Sequence, residues 1–97
     1  MEAERLHAIS KALSDPTRFE ILRQIAACVG EMACSTLNEV FPVTQATISH
    51  HLRELQEAGL IEARRQAKYV HMKLNRAVWQ EYVTALSELL PQSSETR

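Results

Sequence analysis

The chain has little of what most function classes require. Its two cysteines, Cys28 and Cys34, are too few for a disulfide framework. With no secretory leader in MEAERL at the N-terminus, they read as thiols of a cytoplasmic protein. No apolar run approaches the ~18 residues that a membrane span needs. Neither charge sign dominates: 11 Lys and Arg stand against 12 Asp and Glu. No nucleophile–base pair, phosphate loop or carboxylate pair stands out. The adjacent His50 and His51 diverge by about 100° on a helix and cannot easily share one substrate atom. An enzyme is therefore the weakest reading. There are no repeats and no inter-domain linker, and 97 residues allow one domain. A chain of this size buries only about 60–65% of its unfolded surface, so pairing with a second copy would help it.

What the chain does have is concentrated between Val43 and Leu74. Thr44 is placed to cap a helix on which Ile48, Leu52 and Leu55 recur at i, i+4, i+7, the spacing of a buried stripe. Gly59 then supplies a stop. The opposite face carries Gln45, Ala46, Ser49, His50 and Arg53, short or hydrogen-bonding side chains instead of an ordinary Glu/Lys face. Such a face suits a DNA major groove, although the helix alone reads equally well as a solvated surface. From Leu60 the period changes to 2. Ile61, Ala63, Val70, Met72 and Leu74 face one way, and Glu62, Arg64, His71 and Lys73 the other. A turn near Gln66 and Ala67 makes this a hairpin with a basic tip of Arg64, Arg65 and Lys68. Residues 44–74 carry a net charge of +2, against −2 for 1–43 and −1 for 75–97. The positive charge lies where a phosphate contact needs it.

A groove-reading helix followed by a basic hairpin is the layout of a winged helix-turn-helix. Thr47-Ile48-Ser49-His50-His51-Leu52, followed by Glu57-Ala58-Gly59-Leu60-Ile61, resembles the recognition helix and exit of the ArsR/SmtB-type bacterial repressors. The stretch Ala12-Leu13-Ser14-Asp15-Pro16-Thr17-Arg18-Phe19-Glu20-Ile21-Leu22 resembles the same family's start of the second helix. Two motifs in order, covering roughly residues 6–75, are far more specific than either alone.

The remaining elements follow from local signals. Residues 2–13 form a first helix with Leu6, Ile9 and Leu13 on one stripe. Asp15 caps and Pro16 starts a second, carrying Phe19, Leu22, Ile25, Ala26 and Val29 and stopping at Gly30. A third runs from an N-cap at Ser35 through Val40, with Leu37, Val40 and Phe41 inward, and Phe41-Pro42-Val43 makes the turn of the motif. The last helix, Arg76 to Leu90, has a broader apolar face than one small core can cover. The resemblance implies that the first and last helices pair across a two-fold axis. The expected architecture is mainly α with a small β-hairpin, in the order ααα-α-ββ-α, homodimeric through the first and last helices. One domain spans 1–90, and 91–97 form a disordered polar tail.

For base readout the candidates are Gln45, Ala46, Ser49 and His50 at the N-terminal end of the recognition helix. Thr44, Thr47 and Arg53 suit phosphates, which position the helix without specifying sequence. Arg64, Arg65 and Lys68 would follow the backbone or enter the minor groove. His51, about 60° from the buried stripe, reads as a packing residue, and His7 and His71 read as surface histidines. The resemblance places glycine near the wing tip, where this chain has Ala67, so a longer or different turn is expected.

The family's metal sites are not expected here. One uses a Cys-x-Cys pair in the third helix, and the corresponding stretch, Glu31-Met32-Ala33-Cys34-Ser35-Thr36-Leu37, has Ala33 and Ser35 at the ligand positions. The other uses Asp and His in the last helices, and residues 76–90 contain neither. Zinc needs about four donors, so neither a metal nor a cofactor is expected. Cys28 and Cys34 read first as core filling and second as a thiol sensor for arsenite or oxidation. The expected function is a dimeric, sequence-specific DNA-binding repressor. A winged-helix module that binds protein instead of DNA is the alternative. The inducer is not legible.

Overall fold

The computed structural model describes residues 1–89. Asp15 and Thr44 each accept a hydrogen bond from the backbone amide three residues on, so two helix starts are set by their own sequence. Helices α1 (Ala3–Ala12), α2 (Pro16–Ala27), α3 (Cys34–Val40), α4 (Gln45–Glu57) and α5 (Arg76–Ser87) enclose a core around Ile9, Ile21, Ile25, Ile48, Leu55 and Leu60. Asn75 caps α5 through the Val78 amide. Strands β2 (Ile61–Gln66) and β3 (Tyr69–Leu74) form the hairpin, antiparallel, with Ile61 opposite Leu74 and Gln66 opposite Tyr69.

The sheet has a third strand that periodicity did not reveal. β1 (Met32–Ala33) pairs antiparallel with β3, giving the order β1-β3-β2. Two residues are too few to display a period of 2, and the partner lies some 40 positions downstream. This strand also moves the start of α3. The helix begins at Cys34, one residue ahead of the expected cap at Ser35, and its N-cap Ala33 offers no side-chain bond.

Other expectations need correction. α2 ends at Ala27, not at Gly30, so Val29 lies beyond the helix and is 99% exposed. Phe19 and Val40 carry helical spacing but face outward, at 41% and 52% exposure. Ala63 pairs with core Met72, yet is exposed, because β2 is an edge strand in the order β1-β3-β2 and leaves the core after Ile61. The wing turn is shorter than expected. Gln66 pairs with Tyr69, leaving only Ala67 and Lys68 in the loop, and Ala67 takes φ +57°. At Gly59 the φ of +84° calls for glycine; the atom nearest an added Cβ, Arg5 Nη2 at 2.8 Å, is the tip of a flexible side chain that can move aside.

On α5, Val78 and Tyr82 are buried, and Tyr82 is hydrogen-bonded to Ser10 of α1 at 2.8 Å. Val83, Leu86 and Leu89 stay exposed, the surplus apolar face that the sequence indicated. Leu90 and the expected tail at 91–97 lie outside the described residues.

Candidate nucleic-acid interface

The outward face of α4 is built by what lies behind it. Ile48 and Leu55 are fully buried and seat the helix on the core. That leaves Gln45, Ala46, His50 and Arg53 exposed, with Thr47 and Ser49 half-buried between them. The N-terminal end is tightly organised. The Thr44 hydroxyl accepts from the Thr47 amide at 3.2 Å and stands 3.0 Å from the Thr47 hydroxyl, so both threonines take part in capping. Gln45 donates from Nε2 to Ser49 Oγ at 3.2 Å, while Asn38 Nδ2 on α3 donates to Gln45 Oε1. Asn38 thus reaches across the helix-turn-helix turn to hold a residue expected to read bases. Nothing in the local pattern of α3 distinguished it from a solvated side chain.

The wing treats its three basic residues differently. Arg64 is committed within the protein, through Nε to Glu31 Oε2 at 3.1 Å and Nη2 to Glu31 Oε1 at 2.5 Å. Its Nη1 also reaches Gln66 Oε1 at 3.1 Å. This two-pronged contact holds the Glu31 carboxyl below its usual range. Arg65 is exposed on the other face of the strand, and Lys68 at the tip lies 5.7 Å from the Tyr69 ring centroid. The structure therefore brings Gln45, Ala46, Ser49, His50 and Arg53 onto one surface and leaves Arg65 and Lys68 on the projecting hairpin. Arg64 instead ties that hairpin to the segment before β1.

His51 sits behind the surface. It is 7% exposed, and its Nδ1 accepts from Arg18 Nε at 3.2 Å. The sequence placed it as a packing residue, which it is, but with a polar partner that periodicity could not name. Burial lowers its pKa, and the nearby Arg18 and His50 act in the same direction against Asp15 and Glu54.

Cys28 is half-buried, with its thiol 3.5 Å from the Glu31 carbonyl oxygen. It borders an open cleft of about 320 Å³ whose lining includes Gly30, Glu62, Lys73 and Arg76. The side chain of Cys34 lies outside the described set. Among the described residues no three His, Cys, Asp or Glu side chains gather as a metal site, and no helix is long and apolar enough to cross a membrane.

Comparison with known proteins bears on the fold and the family. The sequence profile of a family described as "Helix-turn-helix domain" matches residues 13–64. The arsenical resistance operon repressor of Staphylococcus aureus is 33% identical over 87 residues, 90% of this chain and 82% of that protein. An ArsR-like transcriptional regulator from Rhodococcus sp. RHA1 superposes with a TM-score of 0.78 at 28% identity, covering 89% of this chain and 79% of the other. The homodimeric winged helix-turn-helix DNA-binding domain (fragment 1–100) of Mb0332 from Mycobacterium bovis, a possible ArsR-family regulator, has the same fold. Its TM-score is 0.71 at 23% identity, over 97% of this chain and 89% of that one.

Proposed function

This chain belongs to the ArsR-type family of winged helix-turn-helix transcriptional regulators, and from that premise we propose that it is a dimeric repressor, not an enzyme, in which α4 reads the major groove and the hairpin grips the backbone. The observation that carries the reading is the outward face of α4. Four of its side chains, Gln45, Ala46, His50 and Arg53, are exposed, and none of the described residues covers them. Gln45 suits adenine and Ala46 a thymine methyl, while Ser49 and His50 add hydrogen-bonding edges. Thr44, Thr47 and Arg53 address phosphates, and Arg65 and Lys68 extend that contact along the wing. Arg64 acts mainly by fixing the wing through Glu31.

The surplus apolar residues Val83 and Leu86 of α5, with Leu89 just beyond its end and α1 alongside, form the dimer face. The homodimeric state of the similar Mb0332 domain supports dimerisation, and the exposed apolar residues are the reason for choosing this face. A two-fold pair presents α4 twice, so the operator is an imperfect palindrome with half-sites about 10 bp apart or a multiple. The test is selection of bound sites from random DNA, followed by gel shifts on the selected site. A monomeric protein, or one without DNA affinity at low salt, defeats the reading and leaves a protein-binding module in its place.

A further inference from the structure

Arg18 links three pieces of the fold at one point. Its backbone amide donates to Asp15 Oδ1 at 2.9 Å, which starts α2. Its Nη1 donates to the Ala12 carbonyl at 3.2 Å, which closes α1. Its Nε donates to Nδ1 of His51 at 3.2 Å, which reaches into α4 from behind. The last bond dictates a protonation state. A guanidinium is always a donor, so Nδ1 must be a bare lone pair and the imidazole neutral. We propose that Arg18 and His51 form a proton-sensitive clasp that sets the seating of the recognition helix, so that acidification loosens the hold of this protein on DNA.

The chemistry is a single proton transfer from solvent. When Nδ1 takes the proton, the acceptor becomes a second donor and the contact between Arg18 and His51 becomes one between two cations. The groups facing His51 are known from each side. Asp15 and Arg18 come from the start of α2, and His50 and Glu54 from its own helix. The Ala12 carbonyl of α1 is already bound to Arg18. The two carboxylates favour the proton, and burial, Arg18 and His50 oppose it more strongly, so the native imidazole titrates below its ordinary 6.5. The sign follows. The clasp is intact above that ordinary value and is lost as pH falls through the lowered native one.

The position makes the consequence local. The His50 and His51 ring centroids are 5.6 Å apart, so the clasp lies directly behind a residue on the DNA side. The two neighbours have opposite duties. Exposed His50 faces the DNA side, whereas protonating buried His51 disrupts the seat of the helix. Arg18 and His51 are thus positioning residues that need not touch DNA.

The proposal rests on reading α4 as the recognition helix, and its test separates the two. Imidazole ¹⁵N shifts of the DNA-free protein are followed as pH is lowered. His51 is expected to carry its hydrogen on Nε2 and to titrate below 6.5, and a value at or above 6.5 overturns the clasp whatever the protein binds. Operator affinity is then measured by fluorescence anisotropy at about pH 7.5 and at about one unit below the His51 midpoint that the ¹⁵N titration gives. Wild type is compared with His51→Asn, whose Oδ1 can accept from Arg18 but cannot titrate. His50 is present in both proteins, so the comparison isolates the change at position 51. The ratio of wild-type to variant affinity is expected to fall on the order of tenfold in acid, within the span usual for coupled equilibria, and an unchanged ratio overturns the proposal. If His51→Asn fails to fold, Arg18→Lys replaces it. This variant keeps the charge without the Nε donor, and it should show a flattened pH profile and weaker binding at neutral pH. A wild-type profile in Arg18→Lys overturns the clasp.

Discussion

The recognition helix and the wing meet DNA side by side in this reading, but they are held in opposite ways. α4 is seated by fully buried Ile48 and Leu55 and by His51 behind it. Strand β2 leaves the core after Ile61, and its five residues from Glu62 to Gln66 are exposed, while β3 keeps Met72 in the core. Its geometry comes from cross-strand pairing with β3 and from surface ion pairs, Arg64 with Glu31 and Lys73 with Glu62. The contrast teaches where specificity and stability are coupled. Whatever disturbs the back of α4 disturbs the fold and the reading surface together. Whatever disturbs the wing changes grip while leaving the core intact.

The largest effect should come from behind α4. Ile48→Ala or Leu55→Ala removes a fully buried side chain and should cost about 2–5 kcal/mol of unfolding free energy, measured by denaturant titration. A cost no larger than that of a wing substitution would erase the contrast. Next comes the front of the same helix. Gln45→Ala should lower discrimination against a changed base by about 1–3 kcal/mol, read by competition between selected and altered operators, and His50→Ala should act in the same direction. Neither should move the unfolding midpoint much, since both residues are exposed.

Wing substitutions should be smaller and differently coloured. Arg65→Ala should weaken all sequences alike and reduce the salt slope of binding by about 1. A sequence-dependent loss would mean that the wing reads bases. Glu31→Gln sharpens the same point. It removes the charge from one member of an exposed pair, so the unfolding midpoint should barely move. The smallest effect belongs to the turn. Alanine at φ +57° is strained by roughly 1–2 kcal/mol, and glycine returns part of that gain through its freer unfolded chain. Ala67→Gly should therefore raise stability by at most about 1 kcal/mol, visible as a small rise in thermal midpoint, and a fall would show that the turn does not need its left-handed residue.

Much of this was legible before any coordinates. The caps at Asp15 and Thr44, the stop at Gly59 and the change of period at Leu60 each depend on neighbours within a few positions, and each stands where those neighbours put it. The face of α4 was legible for the same reason, because Ile48 and Leu55 define its back. Phe19 and Val40 show the limit. Helical spacing says which residues share a side, but only the packing of other elements says whether that side is covered. Ala67 shows another limit. The absence of glycine suggested a longer or different turn, yet pairing on both flanks leaves a two-residue loop in which alanine takes the positive φ.

By itself the sequence determined the helices, the hairpin and the chemical character of the surface offered to DNA, because these follow from periods and caps that act over one or two turns of chain. Only the tertiary structure decided that His51 is bonded to Arg18 and Arg64 to Glu31. Each pair joins residues 33 positions apart. No local period relates such residues, and it is the packing of α2 on α4, and of the β1 segment against the hairpin, that brings them within reach.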